Sequence, residues 1–151
     1  MSISFEQLFT IEYDIERQIV GDVPMGYFRR TGIIRGGTFT GPVLKGRALP
    51  GGGDFLFIRK DGVIHLDVRA VLETDKGQTF YMTYTGRLKS PPDAEERLAR
   101  GETIGPNELY FRTAVQFETA APDLAWMNDI IAFGMGFRKP NGPVYDIYAL
   151  K

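Results

Sequence analysis

Between Val63 and Glu73, the residues His65, Asp67 and Arg69 recur at every second position, with Ile64, Leu66, Val68 and Ala70 in register between them. In an extended strand, that period puts an imidazole, a carboxylate and a guanidinium on one face and aliphatic groups on the other. The polar trio has the parts of a proton-transfer site. Asp67 can take or give a proton, Arg69 can neutralise a developing oxyanion, and His65 can contact a substrate. The following stretch adds Phe80, Met82 and Tyr84 on one face, and Leu109–Glu118 adds Tyr110, Arg112 and Gln116. Together these make an aromatic wall with two guanidinium groups and a tyrosine, Tyr84 or Tyr110, as hydrogen-bond donor. Two arrangements fit the pattern. Either the polar row is the wet outer face of a half-exposed strand, with Arg69 and Arg112 ion-paired to Asp54, Asp67 or Glu118, or it lines the lumen of a barrel.

Gly51-Gly52-Gly53-Asp54 reads as a flexible mouth loop whose backbone amides could cradle an anion and whose Asp54 could contact a ligand. Trp126 and Asn128 sit on a short segment where the indole could floor a pocket and the amide could fix a ligand oxygen; a lone Trp also serves as core. Other chemistries have no residues to carry them. The chain has no cysteine, one histidine and three serines (Ser2, Ser4 and Ser90), which removes thiol catalysis, Cys-ligated zinc and a serine-hydrolase elbow. The glycine runs lack the Lys-Ser/Thr of a P-loop and the spacing of a dinucleotide site. No cofactor and no metal are expected.

These residues must be placed by strands. Asp61-Gly62 between Phe55–Arg59 and Val63–Glu73 predicts a type I′ hairpin, and Asp75-Lys76-Gly77 before Gln78–Leu88 predicts a three-residue bulged one. Pro140-Asn141-Gly142-Pro143 joins Ile130–Arg138 to Val144–Leu150 through a loop too short for a parallel crossover. Phe9, Ile11, Tyr13 and Ile15 alternate with Thr10, Glu12, Asp14 and Glu16, and Leu109–Glu118 alternates as well. Gly36-Gly37, Gly134 and Gly136 predict bulges or bends within strands. Ser90 to Gly101, with a capping residue, early prolines and a closing glycine, predicts a short helix, and Leu124–Asn128 another turn of one. Eight to ten strands with two helical insertions are most economically closed into a single antiparallel β-barrel, one domain over residues 1–151.

With 151 residues, 43% hydrophobic content and a net charge of −1, the chain can bury a core without disulfides and carries no basic field for DNA or anionic lipid. No stretch approaches the run of apolar residues that a membrane-spanning helix needs, and Met1–Phe9 has no basic leader. Neither nucleic acid nor membrane is expected as a partner, and a cytoplasmic location is the default.

Four segments, Arg35–Pro42, Leu49–Phe55, Asp61–Arg69 and Tyr110–Thr113, followed by Phe117-Glu118-Thr119 and Trp126-Met127-Asn128, resemble a domain-of-unknown-function family, DUF3237, over roughly Phe9 to Tyr148. The resemblance implies a lipocalin-like or calycin-like β-barrel, oligomeric, with a central pocket. It assigns no activity. Asp67 and Arg69 fall within its motif, which favours a lumen-facing polar row, whereas His65 rests on spacing alone.

Two functions fit. One is a cofactor-independent lyase, isomerase or hydrolase-type step on a small aromatic or hydrophobic carbonyl or carboxylate compound, with Asp67 as acid or base, Arg69 and Arg112 as anion clamps and Tyr84 as donor. The other is a non-catalytic carrier or sensor of a hydrophobic acid, using the same groups for orientation. In both, Asp54, His65, Tyr110, Trp126 and Asn128 are expected to touch the ligand. A homodimer or larger assembly is expected because several strands carry apolar area on both faces. A purely structural oligomer is the third reading.

Overall fold

A computed structural model describes every residue from Met1 to Lys151. Ten strands are present: β1 (Phe5–Val23), β2 (Tyr27–Thr40), β3 (Gly46–Ala48), β4 (Gly53–Asp54), β5 (Phe57–Ile58), β6 (Ile64–Thr74), β7 (Thr79–Lys89), β8 (Tyr110–Glu118), β9 (Ala132–Lys139) and β10 (Gly142–Leu150). A short helix, α1 (Ala94–Ala99), and a 3-10 segment (Pro122–Asp129) complete the chain. All pairings are antiparallel, as the short connections require. β1 pairs with both β10 and β2, so the sheet runs β1-β10-β9-β8-β7-β6 and returns through β2 as a barrel-like ring. Between β2 and β6 the ring is bridged by the three short strands, each paired to both neighbours. None of the helices is long and apolar enough to cross a membrane.

The turns follow local sequence closely. At Asp75-Lys76-Gly77, Gly77 takes φ +78° and donates to Thr74 O at 2.9 Å, the bulged hairpin that the spacing predicts. The Asp61-Gly62 connection differs from the expected type I′ turn. Only Gly62 has positive φ, and its N–H bonds Arg59 O at 2.9 Å, so Lys60-Asp61-Gly62 forms the same three-residue turn. A type I′ turn would have placed Asp61 in the left-handed region at a steric cost that one more loop residue avoids. A bulge at Arg35 of β2, next to Gly36 and opposite Asp14 and Ile15, shifts the register of the long β1–β2 hairpin. Helix α1 starts after Asp93, whose side chain makes no capping bond, and it closes at Gly101 (φ +87°).

The ring is packed unequally along its length. One half is filled by Phe9, Phe39, Phe80 and Phe117, with Phe9 and Phe80 in ring contact with each other and with the other two at centroid distances of 5.1 to 6.5 Å, and with Leu124 and Met127 of the 3-10 segment buried in the same core. The other half is hollow.

Candidate functional site

Each interior row of side chains changes character as it leaves the phenylalanine half. On β1 the buried row Phe9, Ile11, Tyr13 continues through Ile15 to Arg17; on β2 the row Ile34, Gly32 ends at Arg30; on β9 the row Ala132, Gly134, Gly136 ends at Arg138. The hollow between them is a cavity of about 390 Å³, within the range of small-molecule sites. Leu56, Ile64, Leu66, Val68 and Leu88 form its apolar wall, and Tyr13, Tyr84 and Tyr145 bring hydroxyls to it. Tyr145 is held by edge-on contacts with Tyr84 at 5.2 Å and Phe111 at 4.9 Å between ring centroids.

The carboxylate of this cavity is Asp54. It sits on β4, a strand of two residues clamped between Gly32 of β2 and Val68 of β6. Two of the three glycines before it, Gly52 and Gly53, form a tight crossing, not the flexible loop expected from sequence. A Cβ on Gly52 would lie 2.3 Å from Arg69 O, and one on Gly53 would lie 2.4 Å from Gly32 O. Only glycine lets the backbone pass that closely and turn the next side chain inward. Asp54 Oδ1 accepts a hydrogen bond from the Asp67 N–H at 2.9 Å. Desolvation raises its pKa to about 7, against the lowering effects of that hydrogen bond and of the Arg30 charge; the Asp67 carboxylate adds a small upward push.

The tyrosines are kept neutral. Burial raises all three hydroxyls well above the usual tyrosine range, and Asp54 adds to the effect at Tyr84 and Tyr145. The three hydroxyls are near enough to influence one another's ionisation, and Tyr84 opposes the effect of burial at Tyr13; Tyr13 Oη, on a residue only 5% exposed, makes no hydrogen bond of ordinary geometry. Thr113 Oγ1 is the other buried side-chain oxygen left without one, and both hydroxyls keep a hydrogen to donate.

Cations ring the mouth. Glu95 of α1 bridges two of them, at 3.2 Å from Arg17 and 2.8 Å from Arg138, while Glu12 holds Lys139. Partial burial pushes the Glu95 carboxyl up, but Arg138 and Arg17 hold it below its ordinary value overall.

A family model described as "Protein of unknown function (DUF3237)" matches residues 3–150. The chain belongs to this family. Among DUF3237 relatives, a UPF0311 protein of Rhodopseudomonas palustris is 33% identical over 134 residues, covering 85% of this chain and 88% of its own. A crystal structure of a conserved R. palustris protein of unknown function superposes with a TM-score of 0.90 at 30% identity, covering 100% of this chain and 99% of that one. A β-barrel-like protein from Acinetobacter baumannii gives a TM-score of 0.84 at 33% identity, with 100% and 98% coverage. The fold is also shared, at a TM-score of 0.70 and 18% identity with 100% and 96% coverage, by a protein from Penicillium herquei described as an enzyme.

In this DUF3237 ring, the cavity brings together two of the residues singled out from sequence, Asp54 and Tyr84. The others lie elsewhere. β6 faces the opposite way from the lumen-facing arrangement: Ile64, Leu66, Val68, Ala70 and Leu72 point inward, while His65, Asp67 and Arg69 point out. The reason is packing. The ring has no second layer outside β6, so the apolar row can be buried only in the interior. His65 packs at a tilt against Phe57, with ring centroids 4.5 Å apart, and partial burial with Arg87 and Arg59 holds its imidazole below the usual value. Asp67 meets the site through its backbone, as the donor to Asp54. β8 likewise buries Phe111, Thr113, Val115 and Phe117 and turns Tyr110 and Arg112 outward, where the guanidinium lies over the tyrosine ring at 5.3 Å. Trp126 is partly exposed on the 3-10 segment, and Asn128 ties that segment down, accepting from Thr119 N at 2.8 Å and donating to Thr119 O at 3.0 Å.

Tyr13, Tyr145, Arg30 and Arg138 were not singled out from sequence. Their signal is a polar tip or a charge at a position that alternation assigns to the buried row, as Tyr13 does after Phe9 and Ile11.

Proposed function

We propose that the cavity carries out cofactor-independent acid–base chemistry on a small aromatic or hydrophobic carbonyl compound. The observation that carries this reading is Asp54, a carboxyl with pKa about 7 inside an apolar cavity that also holds neutral tyrosine hydroxyls. A base poised near neutral pH both exists as carboxylate and binds a proton well enough to remove one from carbon. With the substrate carbonyl oxygen hydrogen-bonded by Tyr13 or Tyr84, Asp54 takes a proton from the adjacent carbon. The C–H electron pair becomes the C=C of an enolate, whose oxygen the hydroxyls stabilise. Returning the proton to a different carbon gives an isomerase; expelling a group from the β-carbon gives a lyase. The description of the P. herquei protein as an enzyme supports catalytic use of this fold.

The test is deuterium wash-in, which requires no knowledge of the product. Substituted cyclic and aryl ketones are incubated in D₂O with wild type and with Asp54→Asn, and exchange at the carbon next to the carbonyl is followed by NMR. Wild type is expected to exchange at least one ketone above the buffer rate, and Asp54→Asn to lower that rate by a factor on the order of 10² to 10⁴. Binding of these ketones with no exchange would overturn the catalytic reading and leave the carrier or sensor reading in its place.

A further inference from the structure

Arg30 differs from every other cation at the cavity mouth. Arg17 and Arg138 share Glu95, and Lys139 has Glu12, but Arg30 makes no ion pair and no side-chain hydrogen bond within the chain. It is half-buried, at the end of the inward-facing row of β2, and lines the cavity. Withdrawing a guanidinium from water without a direct partner is unfavourable, and burial together with Arg17 and Arg138 pulls its pKa down against the opposing charges of Glu95 and Asp54. The rim holds four cations against the two carboxylates Glu95 and Glu12, with Asp54 as a third carboxyl deeper in the cavity, in a chain whose net charge is −1. That positive end faces an apolar middle and, within the same cavity, the cluster of Tyr13, Tyr84 and Tyr145.

We infer that Arg30 is an anion-recognition residue and that the cavity takes an organic carboxylate: a carboxylate at Arg30, an apolar or aromatic body along Leu56, Ile64, Leu66 and Leu88, and a carbonyl or hydroxyl oxygen at Tyr13. The planar fork of a guanidinium matches a carboxylate in a bidentate pair, and a free fork loses no intramolecular partner on binding. The assignment of the oxygen end rests on the proposed acid–base reading, whereas recognition of the carboxylate stands on Arg30 alone.

A matched pair of probes separates the two. 4-Acetylbenzoate has a ketone and a carboxylate at opposite ends of one ring, and its methyl ester keeps the shape without the charge. Titration calorimetry and thermal shift are run with both probes on wild type, Arg30→Gln, Arg30→Lys and Asp54→Asn. Wild type is expected to bind the acid roughly 10- to 100-fold more tightly than the ester, the range for a charge-assisted hydrogen bond. Arg30→Gln is expected to erase that preference while leaving ester binding in place, and Arg30→Lys to keep part of it. Raising the salt concentration is expected to weaken binding of the acid alone. Asp54→Asn removes the cavity's own anion and is expected to keep or strengthen the preference, even if the same variant shows that no proton transfer occurs. Equal binding of acid and ester by wild type, a preference that survives in Arg30→Gln, or no binding of the acid at millimolar concentration would each overturn the inference.

Discussion

Replacing Asp54 by Asn is expected to stabilise the protein at neutral and alkaline pH, and the size of the gain follows from its surroundings. The carboxyl is raised from its ordinary value of 3.8 to about 7, first by desolvation, with the Asp67 carboxylate adding to it and Arg30 and the Asp67 N–H opposing it; Tyr84 and Tyr145, the other titratable groups that sense its charge, stay neutral. Folding therefore favours the protonated acid. The folded state is unpenalised below the unfolded pKa and loses stability as pH rises toward the folded one. Three pKa units at about 1.36 kcal/mol each put the full loss at about 4 kcal/mol above neutrality, reduced to about 2–4 once water and side chains relax around the anion. Asn is uncharged, and its amide oxygen still accepts from the Asp67 N–H, so the variant escapes this loss. Urea unfolding of both proteins, stepped from about pH 4 to about pH 8, gives a difference curve in which groups shared by the two, such as His65 and Glu95, cancel. The expected curve starts near zero, rises with pH and levels off above the folded pKa of Asp54. A flat curve, or one that has levelled off by about pH 5, would show that Asp54 is an ordinary solvated acid and would remove it as a base working at neutral pH.

Three further perturbations test the geometry. Tyr13→Phe removes a hydroxyl that makes no hydrogen bond of ordinary geometry and is expected to leave stability unchanged or raise it by up to about 1 kcal/mol, while weakening binding of a ligand with an oxygen at that end; thermal unfolding and calorimetry read the two effects separately. Gly53→Ala drives a methyl group against Gly32 O and is expected to cost about 1–3 kcal/mol and to displace Asp54, lowering both the melting temperature and the carboxyl pKa seen by ¹³C NMR. Ala substitutions at Arg69 and Arg112 on the outer faces are expected to change stability by less than about 0.5 kcal/mol and to leave ligand affinity unaltered in calorimetry. Loss of binding in either would move the site to the outside of the ring.

Local chemistry made much of the architecture legible. Asp75-Lys76-Gly77 names its own turn, and the alternation of Phe9, Ile11 and Tyr13 names the buried face of β1, because both depend on neighbours in the chain. Alternation in β6 states only that His65, Asp67 and Arg69 share a face. Which face is inside depends on whether anything covers the ring from outside, and that is decided by the whole topology. Asp54 was visible as the residue after three glycines, but its depth depends on β2 and β6 closing around a two-residue strand. Arg30 and Arg138 are more than a hundred residues apart and meet only because three strands end their inward rows at the same rim.

The unequal filling of the ring divides the mutational landscape of the protein. The interlocked phenylalanines carry much of the cohesion, so substitutions there act on whether the chain folds at all. Leu56, Ile64 and Leu88 line the cavity while packing into the core on their other sides, so changing their bulk alters which molecules fit as well as costing some stability. A lineage could therefore exchange substrates by drifting through the hollow end while the filled end stays fixed, and laboratory libraries confined to those three positions would sample new specificities on an intact scaffold.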